Sequence, residues 1–249
     1  MLRMPMPGIG NLNYTLYKQL RLTLCSEDDI ERYATCHTAW RVACCFQKLS
    51  EAFIAKHADE VDWYYVCSAQ KLSEGFIERF SDKVNWEIVA IYQKLSEAFV
   101  EKHFVSIWDF ANYQKLSAAF RSKHHIELPK HNWLYKSTAF KKKAVQDTGL
   151  YECHKDYFIA YKAIRRDRYS LFNFQYKYEK GGVYETHADY TDAEDSFGFG
   201  AGTESFALDY GYNSLGEGML VRVKIYYKDV ARVIYGGRKI RACKIEVLY

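Results

Sequence analysis

No window of the 249-residue sequence holds the ~18 apolar residues in a row that a membrane-spanning helix requires. The opening MLRMPMPGIGNLNY contains two prolines and no apolar run long enough for a signal peptide, so a cytoplasmic protein without a membrane partner is expected. Charge of one sign is scarce too. A net +4 is too mild for the dense basic face of a nucleic-acid binder, and nucleic acid is not an expected partner. None of the seven cysteines (Cys25, Cys36, Cys44, Cys45, Cys67, Cys153, Cys243) forms a CxxC pair, and an odd number cannot all pair with one another. Reduced intracellular thiols are expected rather than a disulfide framework. No GxSxG, HExxH or Walker loop occurs, and no nucleophile can be matched to a base. What remains is an ordinary globular composition, 49% hydrophobic and 27% charged, with an unusual 22 tyrosines. Tyrosine, apolar in its body and polar at its tip, suits half-buried sheet faces and interfaces.

The sequence writes one phrase four times: FQKLSEAFIAKH from Phe46, AQKLSEGFIERF from Ala69, YQKLSEAFVEKH from Tyr92 and YQKLSAAFRSKH from Tyr113. Its glutamines, Gln47, Gln70, Gln93 and Gln114, are 23, 23 and 21 residues apart, and Trp40, Trp63, Trp86 and Trp108 precede them. Each unit reads as two short helices. Asp62 and Asn85, just before a tryptophan, are placed to cap the first helix, and Ser96 to cap the second. Glu97 in the first turn favours the positive end of the helix dipole. Leu72, Phe76 and Phe80 make one apolar stripe at i, i+4, i+8. Helices of about eight residues do not persist alone, because nucleation costs more than so few hydrogen bonds return. Stacked neighbours can bury their tryptophan and phenylalanine faces together, which is the logic of a short α-solenoid.

The expected units lie near 38–57, 61–80, 84–103 and 106–124, within a repeat domain over 1–127. A degraded cap stands before residue 38, where Ser26 and Ile30 of CSEDDIERY take the places of Ser50 and Ile54. The last copy carries Arg121 in place of an apolar residue, and Pro129 closes the array.

A second domain is expected over 128–249, α+β and mainly antiparallel. KSTAFKKKAVQDTGLYE reads as a helix ending near Gly149, and DYFIAYKAI, SLFNFQYKY and GVYETHADY carry the bias of strands. TESFALDYG reads as a helix capped by Thr203 and stopped at Gly211. MLVRVKIYY alternates as a half-buried strand, with Val221, Val223 and Ile225 on one face and Arg222 and Lys224 on the other. DVARVIYGGRKIRACKIEVL reads as a hairpin turning at Gly236–Gly237.

The candidate site residues each have a bland competitor. GFGAGT, Gly198 to Thr203, can wrap an anion at a helix N-terminus, but Asp195 and Glu204 put negative charge there and a flexible turn is the expected reading. His57, His103 and His124 recur at one repeat position that Phe80 fills in the second copy, which marks packing rather than a metal site. His131, His154 and His187 have no ligand-like spacing. Arg165, Arg166 and Arg168 in RRDR, and Lys141 to Lys143, are basic runs able to bind phosphate but more usually solvated faces. Glu246 is the one weak candidate for a catalytic carboxylate, equally explained as an exposed strand acid.

The unit W-x6-QKLSEAFI-x-KH resembles helical repeats of uncharacterised proteins from large DNA viruses, phages and gut bacteria. The words NWLYKSTAFKKKAV, TGLYECHKDYFIAYKAIR, FNFQYKYEKGGVYETHADYTDAEDSFG and LVRVKIYYKDVARVIYGGRKIRACKIEVL resemble a domain attached to such repeats. These resemblances imply a viral or mobile-element origin and bring no activity with them. At fold level, Thr203, Ala207 and Tyr210 in T-x-x-x-A-x-x-Y are similar to ADP-ribosyltransferase-like domains, which implies NAD near Arg165 and Tyr210 with Glu246 as the acid. The leading expectation is a non-catalytic binding protein whose repeats engage a protein partner, with no cofactor. The alternatives are that transferase, or capture of a nucleotide signal by Arg165, Arg166, Arg168, Phe199, Thr203 and Tyr210.

Overall fold

The computed structural model describes residues 13–103, 110–128, 131–193, 196–215 and 218–249. The expectations for Trp108, Pro129 and Asp195 fall outside them. The fold is α+β: a helical array followed by an antiparallel sheet. Its contacts divide the described residues into two compact units, one holding residues 13–95 together with Phe172–Lys177, the other holding Ser96–Leu171 and Tyr178–Tyr249. Among the described residues no helix is long and apolar enough to cross a membrane.

In the first unit the helices come in pairs: α1 (Tyr14–Leu22) with α2 (Glu27–Tyr33), α3 (His37–Phe46) with α4 (Glu51–Lys56), α5 (Trp63–Ala69) with α6 (Glu74–Arg79), then α7 (Trp86–Tyr92). The caps are where the sequence places them. Asp62 accepts from the amides of Tyr64 and Tyr65, Asn85 from Ile88, Ser50 from Phe53 and Ser73 from Phe76. Leu20, Ile30, Val42, Ile54 and Val66 are fully enclosed, so the segment read as a degraded cap forms a complete helix pair. No described repeat tryptophan is solvent-exposed: Trp40 is buried, Trp63 and Trp86 half-buried.

What joins one pair to the next is the glutamine of the phrase. Gln47, Gln70 and Gln93 stand just past the ends of α3, α5 and α7 in extended conformation, 0%, 3% and 4% exposed. The last carbonyls of a helix have no donor inside it. The following repeat supplies one: Gln70 Nε2 donates to the carbonyls of Cys44 (2.6 Å) and Gln47 (2.8 Å), and Gln93 Nε2 to those of Cys67 (2.6 Å) and Gln70 (2.9 Å). Gln47 Nε2 serves the carbonyls of Leu20 in α1 and of Thr23, just past its end, in the same way. Each side-chain oxygen accepts a backbone amide in return, from Cys25, Leu49 and Leu72. A second row runs beside this one, with Glu27 accepting from the Ser50 amide and Glu51 from that of Ser73.

The second unit opens with α8 (Glu97–His103), α9 (Phe110–Tyr113) and α10 (Ala118–Lys123), where Glu97 accepts from the Ser117 amide as its counterparts do. There the glutamine row has a substitute. Asn132 Nδ2 donates to the Ala111 carbonyl (2.9 Å), while Tyr135 Oη donates to that of Gln114 (3.0 Å) and accepts from the Leu116 amide (2.9 Å). Asn132 caps and Tyr135 ends a 3₁₀ turn over Trp133–Tyr135, and Ser137 then caps α11 (Thr138–Gln146) through the Phe140 amide. Asn132 to Phe140 is thus a shortened repeat, of which only the part from Lys136 was expected to be helical, as an ordinary helix.

The strands are β1 (Glu152–Cys153), β2 (Tyr157–Arg165), β3 (Val183–Glu185), β4 (Phe199–Gly202), β5 (Gly218–Tyr226), β6 (Val230–Ile234), β7 (Lys239–Ala242) and β8 (Lys244–Val247). They form one antiparallel sheet in the order β3-β8-β5-β2-β4-β7-β6, with β1 also on β2. β5 keeps the predicted alternation, Val221, Val223 and Ile225 inward and Arg222 exposed, because it lies between β8 and β2 with one face in the core. Gly236 and Gly237 turn β6 into β7 at φ 62° and 97°, as expected.

Four expectations are corrected. SLFNFQYKY is not a strand; its middle packs on the helical array instead. GVYETHADY supplies only the three residues of β3. GFGAGT is not a flexible turn, because Phe199–Gly202 is an inner strand between β2 and β7. The last helix, α12 (Glu204–Leu215), runs through Gly211, since a lone helix glycine costs only about 1 kcal/mol.

Candidate functional site

In the helical unit the ends of α3 and α5 and the turns that follow are covered by a strap from later in the chain. Lys48, Lys71 and Lys94, the lysine of each QKLS, are exposed along this edge, while the adjoining glutamines are buried. Neighbouring helices lie ~8–10 Å apart, which sets the spacing of the lysine row. Across it runs the strap Phe172–Lys177. Phe174 is buried (1% exposed), and its amide donates to the Phe46 carbonyl, the last of α3, at 2.8 Å. Gln175 Nε2 donates to the Gln47 carbonyl (3.1 Å) and to Gln70 Oε1 (2.9 Å), so a side chain from far along the sequence enters the glutamine row. The Lys71 ammonium lies 3.8 Å from the centre of the Tyr176 ring. No residue of this strap was singled out from the sequence. Its only sign there is a second glutamine between aromatics, which has no period to mark it.

The sheet unit has a cleft of about 220 Å³ over β2 and the start of α12, lined by Leu150, Tyr151, Glu152, Ile159, Tyr161, Thr203 and Glu204. Thr203 caps α12 as predicted, accepting from the Phe206 amide. Two carboxylates line this cleft, so it disfavours phosphate and suits a cation or a neutral hydrogen-bonding group. Glu152 is paired with Arg222 (3.1 Å). Tyr151 donates to the Gly237 carbonyl, and burial pushes its phenol well above the ordinary range.

The remaining predicted site residues are dispersed. Phe199 is 3% exposed within β4, and Tyr210 lies two turns along α12 from Thr203, ~10 Å away. Arg165 pairs with Asp167 (3.1 Å), while Arg168, at φ 69°, pairs with Glu179 (2.6 Å). Glu246 bonds Lys224 at 2.9 Å and holds that ammonium up at about 12. Arg165 stands opposite Gly218 and Glu246 opposite Lys224, six residues along β5, so about 20 Å separates the two.

Two of the buried cations hold backbone carbonyls. Lys141 of α11, 3% exposed, donates to the Lys228 carbonyl at 3.1 Å, and desolvation pushes its ammonium down to about 8. Arg241, 1% exposed, donates to the carbonyls of Asp189, Thr191 and Ala193, and so clamps the loop before β4. The repeated histidines are packing residues: the rings of His57, His103 and His124 sit 4.7, 4.4 and 4.5 Å from the preceding phenylalanine, as Phe80 sits on Phe76 at 4.8 Å. Among the described residues no group of three or more His, Cys, Asp or Glu side chains converges as metal ligands would. No family model matches the chain, and no curated protein or solved structure matches it.

Proposed function

We propose that this chain is a non-catalytic binding protein of viral or mobile-element type. Its helix pairs build a short α-solenoid that engages a protein partner, and the sheet domain adds a second contact or holds a small ligand. The observation that carries this reading is the glutamine row. It spends a buried amide in each repeat on holding neighbours in register, and leaves the turn beside it, with its exposed lysine, on the surface. A regular edge of this kind presents the same chemistry at each step, which is how repeat arrays recognise extended surfaces. The wide separation of Arg165 and Glu246, and the carboxylates beside Thr203, argue against the transferase and the nucleotide trap.

The test uses the full chain and its Lys48→Glu/Lys71→Glu variant as bait in host lysate, with an NAD-consumption assay in parallel. A protein retained by the wild type and lost from the charge-reversed chain, with no NAD turnover, is the expected result. Turnover of NAD that Glu246→Gln abolishes overturns it in favour of the transferase.

A further inference from the structure

The strap is held by a six-residue stretch, and each of its anchors is of a kind that peptide receptors use. Phe174 is buried, and its amide bonds the last carbonyl of α3, which has no donor inside the helix. The Gln175 amide group bridges two acceptors on adjacent repeats, Gln47 O and Gln70 Oε1. Lys71 lies over the Tyr176 ring. Phe172, at the start, remains 50% exposed. None of these contacts depends on the covalent link between strap and array.

We infer that the strap-covered surface at the ends of α3 and α5 is a receptor for an extended peptide of the pattern aromatic–x–aromatic–Gln–aromatic, and that Phe172–Lys177 is an internal stand-in for it. This inference rests on the binding-protein reading and names the partner's chemistry. The glutamine is the discriminating position. Both atoms it faces are acceptors, so a glutamate there brings oxygen against oxygen and loses both bonds. The occupant is a segment of another protein rather than a second copy of this chain. Exchanging straps between two copies makes no contact that each copy does not already have, while association costs translational and rotational freedom. A foreign segment with a better aromatic fit gains what the exchange does not. The tethered strap acts at an effective concentration of ~mM, so it sets the threshold a partner must exceed.

The experiment is fluorescence anisotropy with the dye-labelled peptide LFNFQYKY against the full chain and its Phe174→Ala/Gln175→Glu variant. The peptide should bind the variant saturably and the wild type at least ten-fold more weakly, because the intact strap competes. A peptide with glutamate at its glutamine position should bind the variant at least ten-fold more weakly. Adding Lys71→Ala should cost several-fold, without changing the circular dichroism. Equal binding to both chains, or to both peptides, overturns the inference. If the variant does not fold, hydrogen exchange on the wild type decides: saturating unlabelled peptide should deprotect the amides of residues 172–177 alone, and unchanged protection there overturns the inference. Should the wild type be a dimer that the peptide dissociates, the occupant is a second copy and the assignment to a foreign protein falls. A partner captured from lysate that excess peptide fails to displace removes this surface from the account and leaves the binding reading intact. Absence of any partner removes the binding reading itself.

Discussion

Gln70 makes three bonds inside the array and accepts a fourth from the strap, all in a site closed to water. Gln70→Leu keeps the bulk but leaves the Leu49 amide and the Cys44 carbonyl without a partner, while the Gln47 carbonyl keeps the Gln175 amide. At about 1–3 kcal/mol for each buried group left unpaired, a loss of roughly 3 kcal/mol in urea unfolding is expected. Lys48→Ala, one residue beyond the preceding rung and exposed, should fall within about 0.5 kcal/mol of wild type. Glycines of β4 give a second contrast. A Cβ on Gly202 would stand 2.3 Å from the Arg238 carbonyl, whereas on Gly200 it would meet the Lys239 side chain at an ordinary 3.6 Å. Gly202→Ala should therefore destabilise by about 2 kcal/mol or more and Gly200→Ala hardly at all, as thermal melts would show. Lys141 sets a pH dependence. Its folded value near 8 lies below the usual 10.5, so the unfolded chain binds more protons between those limits and stability rises with pH from 8 upward. Lys162, held down to about 8 by burial, acts in the same direction. Buried Cys44 and Cys45, pushed from 9 to about 12, oppose this above pH 9, where the unfolded thiols ionise and the folded ones do not. Thermal melts should thus gain between pH 8 and 9, and Lys141→Met should reduce that gain to the part Lys162 supplies.

The helices themselves are short, six residues in α4 and α6 and seven in α5 and α7. Their caps satisfy part of each N-terminus, but such lengths fall well under the ~12–15 residues at which an isolated helix begins to hold. A synthetic peptide of residues 62–80, one full unit, should show coil by circular dichroism, and helix in that peptide would undercut the account of why the phrase repeats. The phrase, the caps at Asp62, Asn85 and Ser96, and the apolar stripe were all legible in sequence, because a helix expresses its environment at a fixed spacing. The pairing role of the glutamine was not. From spacing, Gln93 reads as one more residue on a helical face, and only the extended backbone at Gln47, Gln70 and Gln93 turns the amide toward the previous repeat.

At the level of the whole chain, all seven cysteines are free, and their burial is uneven: Cys44, Cys45 and Cys67 are enclosed, Cys36 and Cys153 exposed. A thiol reagent at pH 8 should modify Cys36 and Cys153 at once. Cys44, Cys45 and Cys67 should react only as the helical unit unfolds, so their rate, followed by mass spectrometry, measures its opening. Rapid labelling of Cys44 in the native chain would mean the array is looser than its rungs imply. The sequence alone determined the period, the helix caps, the alternation of β5 and the glycine turn between β6 and β7, because each is a local rule of backbone geometry or side-chain spacing. Only the tertiary structure decided that GFGAGT is an inner strand, that Asn132 and Tyr135 stand in for a missing glutamine, and that the aromatic stretch 172–177 leaves the sheet for the helical unit. Those outcomes depend on which distant carbonyl or strand edge lies waiting, and a chain carries no local mark of a partner that lies 20 to more than 100 residues away.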